Sequence, residues 1–289
     1  MNKPADATLN DLAIERALAG AIEADALDLL YQPKLSFATG RLAGVEALMR
    51  WDDVALGAVS PTRFIPVAER AGLIDGLTGW GLRRALTHWR DWREQGIVAE
   101  LAFNISAATL RDMHFPDVVQ RMCMEIGVPT DMLTVELTEG ATQEAISLMD
   151  TLARFRIKGM KTALDDFGTG YSSLLQLRRL PFSELKIDRW FVEDSTRSPA
   201  GALVIRSIID LAHGLGLTVT AEGVATPQAF DLLHDLGCDQ AQGEFISTPM
   251  PRDRLAPWVL SRGEELAGWW SRERPPSPGS LSLSPRAAI

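Results

Sequence analysis

The chain alternates short apolar runs with longer segments of helical periodicity, and several of the apolar runs end in a single polar side chain. Residues 101–103 lead into Asn104, residues 133–135 into Glu136, and residues 162–164 into Asp165 and Asp166. Because alternating strands and helices form parallel sheets covered by helices, this pattern predicts an α/β protein. Polar residues from remote parts of the sequence would then meet at one edge of the sheet.

The spacing of the predicted strands favours a barrel. The strands span residues 29–33, 45–50, 101–105, 133–137, 161–165, 184–187, 217–222 and 239–243. Eight strand–helix units in about 250 residues favour a closed TIM-like (β/α)8 barrel over an open doubly wound sheet. Only about ten residues separate the first two strands, which is the length of a hairpin connection. We therefore expect the first strand to run antiparallel to the second.

The two ends of the chain differ from the predicted barrel. Residues 8–28 have the pattern of an amphipathic helix, so we expect a barrel domain over residues 10–262 after a short N-terminal extension, residues 1–9. Residues 263–289 form a C-terminal tail. From Pro275 the tail is low in complexity and rich in Pro and Ser, so we expect disorder from residue 275 onward.

Charge and composition exclude some classes of protein. The formal net charge of -9 argues against binding to DNA or RNA, which requires basic surface. No apolar run approaches the roughly 18 residues needed to cross a membrane, and the polar N-terminus does not resemble a secretory signal, so we expect a cytoplasmic protein.

Cys123 and Cys238 lack metal-ligand spacing and are interpreted as buried thiols. The four histidines, His88 among them, are expected at surfaces or helix ends.

Six polar residues at or near the predicted strand ends are candidate metal ligands. They are Glu46, Asn104, Glu136, Asp165, Asp166 and Glu222. Catalytic groups of TIM barrels lie at the C-terminal ends of the strands, and oxygen donors without His or Cys suit Mg²⁺ or Mn²⁺. A helix cap or turn is the alternative role for any single one of them. Lys186 also lies near a strand end, and its alternative role is that of an ion-pair partner.

The adjacent residues Asp165 and Asp166 can serve one site only if the local backbone allows it. Neighbouring strand residues point to opposite faces, so the strand would have to end here, and Gly168 and Gly170 provide an ending. A shared Asp165 would then bridge two cations about 3.5–4 Å apart, the arrangement used to cleave phosphodiesters by in-line attack.

Seven short motifs follow one another along the chain. They are Glu-Ala-Leu at 46–48, Phe-Asn-Ile-Ser at 103–106, Glu-Leu-Thr-Glu at 136–139, Asp-Asp-Phe-Gly-Thr-Gly-Tyr-Ser-Ser-Leu at 165–174, Leu-Lys-Ile-Asp-Arg at 185–189, Ala-Glu-Gly-Val at 221–224 and Gln-Gly at 242–243. Together they resemble the EAL domain family of bacterial cyclic di-GMP phosphodiesterases, over roughly residues 10–260. The resemblance implies a TIM-like barrel with an antiparallel first strand.

The resemblance also implies an activity, which is metal-dependent hydrolysis of cyclic di-GMP to linear 5′-pGpG by a homodimer. It assigns two cations, Mg²⁺ or Mn²⁺, to two ligand sets. The first set is Glu46, Asn104, Glu136 and Asp165, and the second is Asp165, Asp166 and Glu222.

Further roles follow from the same resemblance. Glu222 would help to deprotonate the attacking water, and Lys186 would orient it. Glu139 would brace the loop of residues 167–173, which in the family links metal binding to a dimer contact. The residues that match dinucleotide contacts are Gln32, Arg50 and Gln242.

Three positions depart from the family pattern. Ala225 replaces a glutamate, Glu244 replaces an aromatic residue, and Thr248 replaces a Lys or Arg. Ala225 weakens support for the second cation, and the changes at Glu244 and Thr248 make the substrate mouth less aromatic and more acidic. Ala225 and Glu244 favour an alternative function, that of a weakly active or inactive cyclic di-GMP receptor or adaptor. A second alternative is an interaction protein that binds no nucleotide.

Overall fold

A computed structural model describes residues 3–140, 145–168 and 174–261 of the 289-residue chain. The helices include α1 (Lys3–Glu23), α2 (Pro61–Arg70), α3 (Ile74–Glu94), α4 (Ala107–Leu110), α5 (Phe115–Ile126), α6 (Ala145–Ile157), α7 (Leu174–Arg179), α8 (Arg189–Arg197), α9 (Pro199–Gly214) and α10 (Pro227–Asp235). The strands are β1 (Asp28–Ser36), β2 (Leu42–Asp53), β3 (Gly57–Val59), β4 (Glu100–Asn104), β5 (Leu133–Thr138), β6 (Lys161–Phe167), β7 (Glu184–Ile187), β8 (Thr218–Ala221), β9 (Gln240–Gln242) and β10 (Met250–Pro251).

Eight of these strands close into a barrel. Their order around the ring is β1, β2, β4, β5, β6, β7, β8 and β9, and β9 pairs again with β1. Neighbouring strands from β2 round to β9 are parallel, whereas β1 is antiparallel to both of its neighbours. The predicted TIM-like barrel with an antiparallel first strand is therefore confirmed. The short strands β3 and β10, which the sequence patterns did not predict, pair with β2 and β1.

Two hydrophobic clusters hold the helices around the barrel. The larger one lies between the sheet and the surrounding helices and includes Leu101, Phe103 and Trp89. The second cluster joins α1, α2 and the start of α3 to β2, through residues such as Leu18 and Phe64. Full burial of one such side chain stabilises the fold by about 1.5–3 kcal/mol, so the α1 segment is an integral part of the barrel's packing.

The N-terminal helix differs from the prediction. It spans Lys3–Glu23 rather than residues 8–28, because Asp25 takes a left-handed conformation with φ of 56° and the chain turns there toward β1. The domain limits at residues 10 and 262 stay predictions, and the C-terminal tail, residues 263–289, lies outside the described residues. Among the helices that the structure describes, none is both long and apolar enough to cross a bilayer.

Two predictions about individual side chains have different outcomes. Cys123 and Cys238 are buried free thiols, as predicted. The expectation for His88 was wrong, because this side chain is buried in the middle of α3 and its Nδ1 lies 2.6 Å from the Tyr31 hydroxyl. Burial lowers the pKa of His88 to about 4, so the ring is neutral at physiological pH and belongs to the core.

Candidate active site

The barrel mouth brings polar residues from several strands together. Parallel strands place their carboxyl ends at one rim, and the register sets Asn104 of β4 opposite Glu136 of β5. On the antiparallel strand β1, Gln32 is opposite Glu46 of β2, so β1 also contributes a polar residue to this rim. The predicted site residues therefore meet here although they are remote in sequence.

The ammonium group of Lys186 lies at the centre of four carboxylates. Lys186 is fully buried on β7. Its Nζ lies 3.3 Å from Glu46 Oε2, 2.9 Å from Glu136 Oε2, 3.1 Å from Asp165 Oδ1 and 2.7 Å from Glu222 Oε1. Carboxylates this close to one another repel, and one ammonium charge does not balance four of them. The cluster is therefore suited to binding further positive charge.

These acidic side chains form two overlapping groups. One oxygen each from Glu46, Glu136 and Asp165 lie within 4.8 Å of one another, and the same is true of Asp165, Asp166 and Glu222. Asp165 belongs to both groups, which is the arrangement that the sequence predicted for a shared ligand. Asn104 lies beside the first group, since its Nδ2 donates to Glu46 Oε1 at 2.7 Å and to Glu136 Oε2 at 3.4 Å.

An irregularity in β6 lets two adjacent aspartates face the same site. The strand was expected to end at this point, but it continues to Phe167, and the register with β7 shifts between Leu164 and Phe167. Asp166 has a left-handed backbone with φ of 57°, and its N–H donates to Asp165 Oδ1 at 2.9 Å. This conformation costs an L-residue about 1–2 kcal/mol, so the packing of the site must maintain it.

Burial shifts the pKa values of the acidic residues. Burial raises the pKa of Glu222 to about 8 and that of Asp166 to about 6, and repulsion from Asp165 adds to both shifts. Burial also raises the pKa of Glu136 well above its usual range. Burial alone would raise the pKa of Glu46 as well, but Lys186 and the hydrogen bond from Gln242 outweigh it, and this pKa is lowered.

Lys186 stays positively charged in spite of its burial. Burial by itself lowers the pKa of a lysine, but the surrounding carboxylates, of which Glu136 acts most strongly, raise this pKa well above its usual value. The site therefore combines the positive charge of Lys186 with carboxyl groups whose pKa values differ. The pKa of Glu46 is lowered, and those of Glu136 and Glu222 are raised.

The three predicted substrate-binding residues occupy two parts of the mouth. Gln242 Nε2 donates to Glu46 Oε2 at 2.7 Å and to Gln32 Oε1 at 3.1 Å. Arg50 is four residues beyond Glu46 on β2, about 13 Å further along the strand. It lines a cavity of about 510 Å³ that also touches Asn104 and has largely apolar walls. Gln32 and Gln242 thus join the acidic cluster, whereas Arg50 lies at the outer rim.

Glu139 is buried beside the bulged strand. Its Oε2 accepts a hydrogen bond of 2.6 Å from the Gly168 N–H. That contact is at the start of the loop that Glu139 was expected to brace. Because residues 169–173 lie outside the described residues, the bracing role stays a prediction.

Two buried charged residues at this site were missed by the sequence reasoning. Lys34 and Glu184 lie in the barrel lumen beneath the mouth, with Lys34 Nζ 3.1 Å from Glu184 Oε1. The period of two along a strand contains the signal. Lys34 is two residues from Gln32 and Glu184 is two residues from Lys186, so each pair faces the same side of its strand.

The fold and site define a closed α/β barrel with an acidic, lysine-centred mouth. Residues 15–249 match the profile of the family described as the EAL domain, and this chain belongs to that family. A cyclic di-GMP phosphodiesterase of Pseudomonas aeruginosa is 40% identical over 232 residues, which cover 80% of this chain and 40% of that protein. The oxygen sensor protein DosP of Escherichia coli is 36% identical over 260 residues, covering 88% of this chain and 32% of DosP. The chain thus spans well under half the length of these two relatives.

Solved structures resemble this chain over most of its length. The phosphodiesterase PaMucR in complex with c-di-GMP has a TM-score of 0.78 and 36% identity, covering 84% of this chain and 99% of that one. The EAL enzyme Bd1971, in its form with bound cAMP and cyclic di-GMP, has a TM-score of 0.82 and 29% identity, covering 87% and 69% of the two chains. Both likenesses agree with the barrel described above.

Proposed function

We propose that the protein is a metal-dependent phosphodiesterase that hydrolyses cyclic di-GMP to linear 5′-pGpG. The observation that carries this proposal is the pair of overlapping carboxylate groups around Lys186 Nζ, which share Asp165. Membership of the EAL domain family and the names of its relatives, a cyclic di-GMP phosphodiesterase among them, support the choice of substrate.

The donor set fits Mg²⁺ or Mn²⁺. Both carboxylate groups supply oxygen atoms alone, which these hard cations prefer. One cation would be held by Glu46, Asn104, Glu136 and Asp165, and a second by Asp165, Asp166 and Glu222. When bound, the cations would supply positive charge for the phosphodiester oxygens and would make a neighbouring water more acidic.

The protein's own residues would carry out the remaining steps. A carboxylate oxygen of Glu222 can take up the proton of the attacking water, because Glu222 Oε1 lies 2.7 Å from Lys186 Nζ, the group that would hold this water. Lys186 Nζ would hold that water by a hydrogen bond and would offset negative charge on the phosphate. Because Lys186 is buried, it would meet the substrate only from the floor of the mouth.

Binding of the dinucleotide would use both parts of the mouth. Gln32 and Gln242 would hydrogen-bond to the half that lies over the acidic cluster. Arg50 would contact the other half of the dinucleotide, and a guanine ring of that half would occupy the apolar cavity of about 510 Å³ beside Arg50. Glu139 would keep the strand end at Gly168 in place through its hydrogen bond to the Gly168 N–H.

The proposal includes a cytoplasmic homodimer that binds no DNA or RNA. The buried free thiols of Cys123 and Cys238 suit a reducing compartment, and the net charge of -9 does not suit a nucleic-acid backbone. The homodimer rests on the family resemblance. Sedimentation velocity over a range of concentrations tests it, and a species of 31.6 kDa at every concentration would contradict it.

A second candidate function is that of a cyclic di-GMP receptor with weak or no turnover. The exposed residues Ala225, Glu244 and Thr248 favour it, because each departs from the family pattern near the strand ends of the mouth. Incubation with cyclic di-GMP and Mg²⁺ or Mn²⁺, followed by chromatography for 5′-pGpG, separates the two functions. Product in stoichiometric excess over protein supports the enzyme, and tight binding without product supports the receptor. A third result, no binding by calorimetry with or without metal, supports the interaction protein.

A further inference from the structure

A second buried lysine lies one layer beneath the ring of carboxylates. Lys34 of β1 is fully buried in the lumen, and Gly44 on the neighbouring strand β2 is its register partner. A Cβ atom on Gly44 would lie 3.3 Å from Lys34 Cε and 2.9 Å from the Glu100 carbonyl oxygen. The lumen is therefore shaped to hold this lysine side chain, and the mechanism above does not use it.

The Lys34 ammonium group lies between two buried carboxylates. Its Nζ is 3.1 Å and 3.5 Å from the two oxygens of Glu184, and 3.8 Å from Glu136 Oε1. Glu184 is held in turn by Thr220, whose hydroxyl donates to Glu184 Oε1 at 2.6 Å. Thr220, Glu184 and Lys34 thus form a chain of contacts that ends at Glu136.

The two oxygens of Glu136 face two different lysines. Oε2 lies 2.9 Å from Lys186 Nζ at the mouth, and Oε1 faces Lys34 beneath. Among the described residues, Oε1 accepts no hydrogen bond, and the ammonium group of Lys34 lies 3.8 Å from it. Each oxygen of the Glu136 carboxylate therefore lies near a different ammonium group, one at the mouth and one beneath it.

We propose that Lys34 is a positioning residue for Glu136, which draws Oε1 into the lumen and leaves Oε2 turned toward the cations of the mouth. The inference rests on the proposed function, in which Glu136 is a ligand of the first cation.

A purely structural role would not require this chemistry. Replacing a buried ion pair by apolar residues of similar volume is often neutral or stabilising, so a filled lumen does not need an ammonium group. Groups that contact metal ligands from behind fix the direction of those ligands, and their loss typically weakens metal binding by 10- to 100-fold. Lys34 is placed for that task, behind Glu136 and away from the substrate side.

The test uses a double variant that keeps the net charge of the lumen. Lys34→Met with Glu184→Gln removes one positive and one negative charge, and neither new side chain leaves a buried unpaired ion. We expect the thermal midpoint of the metal-free protein to stay near that of the wild type. Mn²⁺ binding, measured by calorimetry on the whole chain, should weaken by about tenfold or more. Turnover of cyclic di-GMP should recover at saturating Mn²⁺, so that the KM for the metal changes and kcat does not.

Two further variants locate the effect. Among the described residues, the Thr220 hydroxyl donates to Glu184 and makes no hydrogen bond to Glu136. Thr220→Val should therefore retain wild-type Mn²⁺ affinity. Glu184→Gln alone keeps the Lys34 charge and should also bind Mn²⁺ nearly as the wild type does. If the Met-containing double variant does not fold, Lys34→Gln with Glu184→Gln provides hydrogen-bonding side chains in the same two places.

The outcomes separate this inference from the proposed function. Wild-type Mn²⁺ affinity in a folded double variant overturns the role of Lys34 while the proposed function stands. Equal loss of affinity in Glu184→Gln and in the double variant overturns it too, because the ion pair and not Lys34 would then matter. Failure of the wild-type protein itself to bind Mn²⁺ removes both.

Discussion

Four carboxylates at the barrel mouth surround the single ammonium group of Lys186. The excess of negative over positive charge affects the pKa of each residue there. The nearest contact, 2.7 Å from Nζ to Glu222 Oε1, comes from the residue whose pKa burial raises to about 8. Glu46, by contrast, is bound by both Lys186 and Gln242, and its pKa is lowered. Individual side chains should therefore respond differently to substitution and to pH.

Glu46→Ala should abolish hydrolysis without loss of the fold. The Glu46 carboxylate contacts Lys186, Asn104 and Gln242, so its removal takes away a proposed ligand and the acceptor for its neighbours. Loss of a group that only contacts a metal ligand typically lowers metal affinity or activity by 10- to 100-fold. Loss of the ligand itself should therefore lower turnover by at least about 100-fold. Chromatography for 5′-pGpG measures the effect, and circular dichroism checks the fold. Glu94→Ala, on the exposed end of α3, is the matched control. Wild-type turnover in Glu46→Ala would remove Glu46 from the site.

Metal binding should strengthen as the pH rises to about 8. A protonated carboxyl group cannot bind a cation, so binding must displace the protons of Glu222 and Asp166. Their pKa values are raised to about 8 and about 6, which means that at pH 6 Glu222 is almost fully protonated and Asp166 is half protonated, whereas well above pH 8 both are ionised. Apparent Mn²⁺ affinity should therefore rise from pH 6 to pH 8, and the raised pKa of Glu136 adds to the rise. Calorimetry at several pH values, in two buffers of different ionisation enthalpy, also counts the protons released. Affinity that is flat over this range would contradict the assignment.

At the scale of the element, the lumen face of β2 leaves no room at Gly44. Gly44→Ala should destabilise the fold by about 1–3 kcal/mol, because added atoms in a packed interior force their neighbours to move, and here the nearest neighbour is the backbone oxygen of Glu100. Gly20→Ala is the matched control, since no atom lies within 4 Å of the added Cβ in helix α1, and alanine should stabilise that helix by up to about 1 kcal/mol. Urea unfolding measures both. A neutral effect of Gly44→Ala would mean that the lumen is loosely packed.

The elements themselves were largely predictable, whereas their irregularities were not. Apolar runs located all eight barrel strands, because burial on the barrel wall imposes a continuous apolar pattern on them. The left-handed Asp166 in β6 was missed, since this conformation is set by packing around the site and leaves no mark in an Asp-Asp pair. Lys34 and Glu184 were also missed. Their period of two was visible, but their meeting inside the lumen depends on closure of the ring, which joins strands that are far apart in the sequence.

At the scale of the whole molecule, closure of the barrel gathers carboxylates that the unfolded chain keeps apart. The net charge of the chain is -9, and the mouth concentrates part of that charge around one buried lysine. Folding without a cation therefore includes unfavourable repulsion and the uptake of protons by carboxyl groups such as Glu222. A cation that binds the folded barrel removes both effects, so metal binding and global stability are linked.

This linkage predicts a large thermal shift with metal. A ligand that binds only the folded state at 100 times its Kd stabilises it by about 2.7 kcal/mol, and for a chain of this size each kcal/mol raises the Tm by about 2–4 °C. Mg²⁺ or Mn²⁺ in such excess should raise the Tm by about 5–10 °C, whereas NaCl at equal ionic strength should not. In Glu46→Ala most of the shift should disappear, because the first carboxylate group is incomplete. An equal shift in Glu46→Ala and in the wild type would mean that the cations act elsewhere on the acidic surface and that the mouth is not their site.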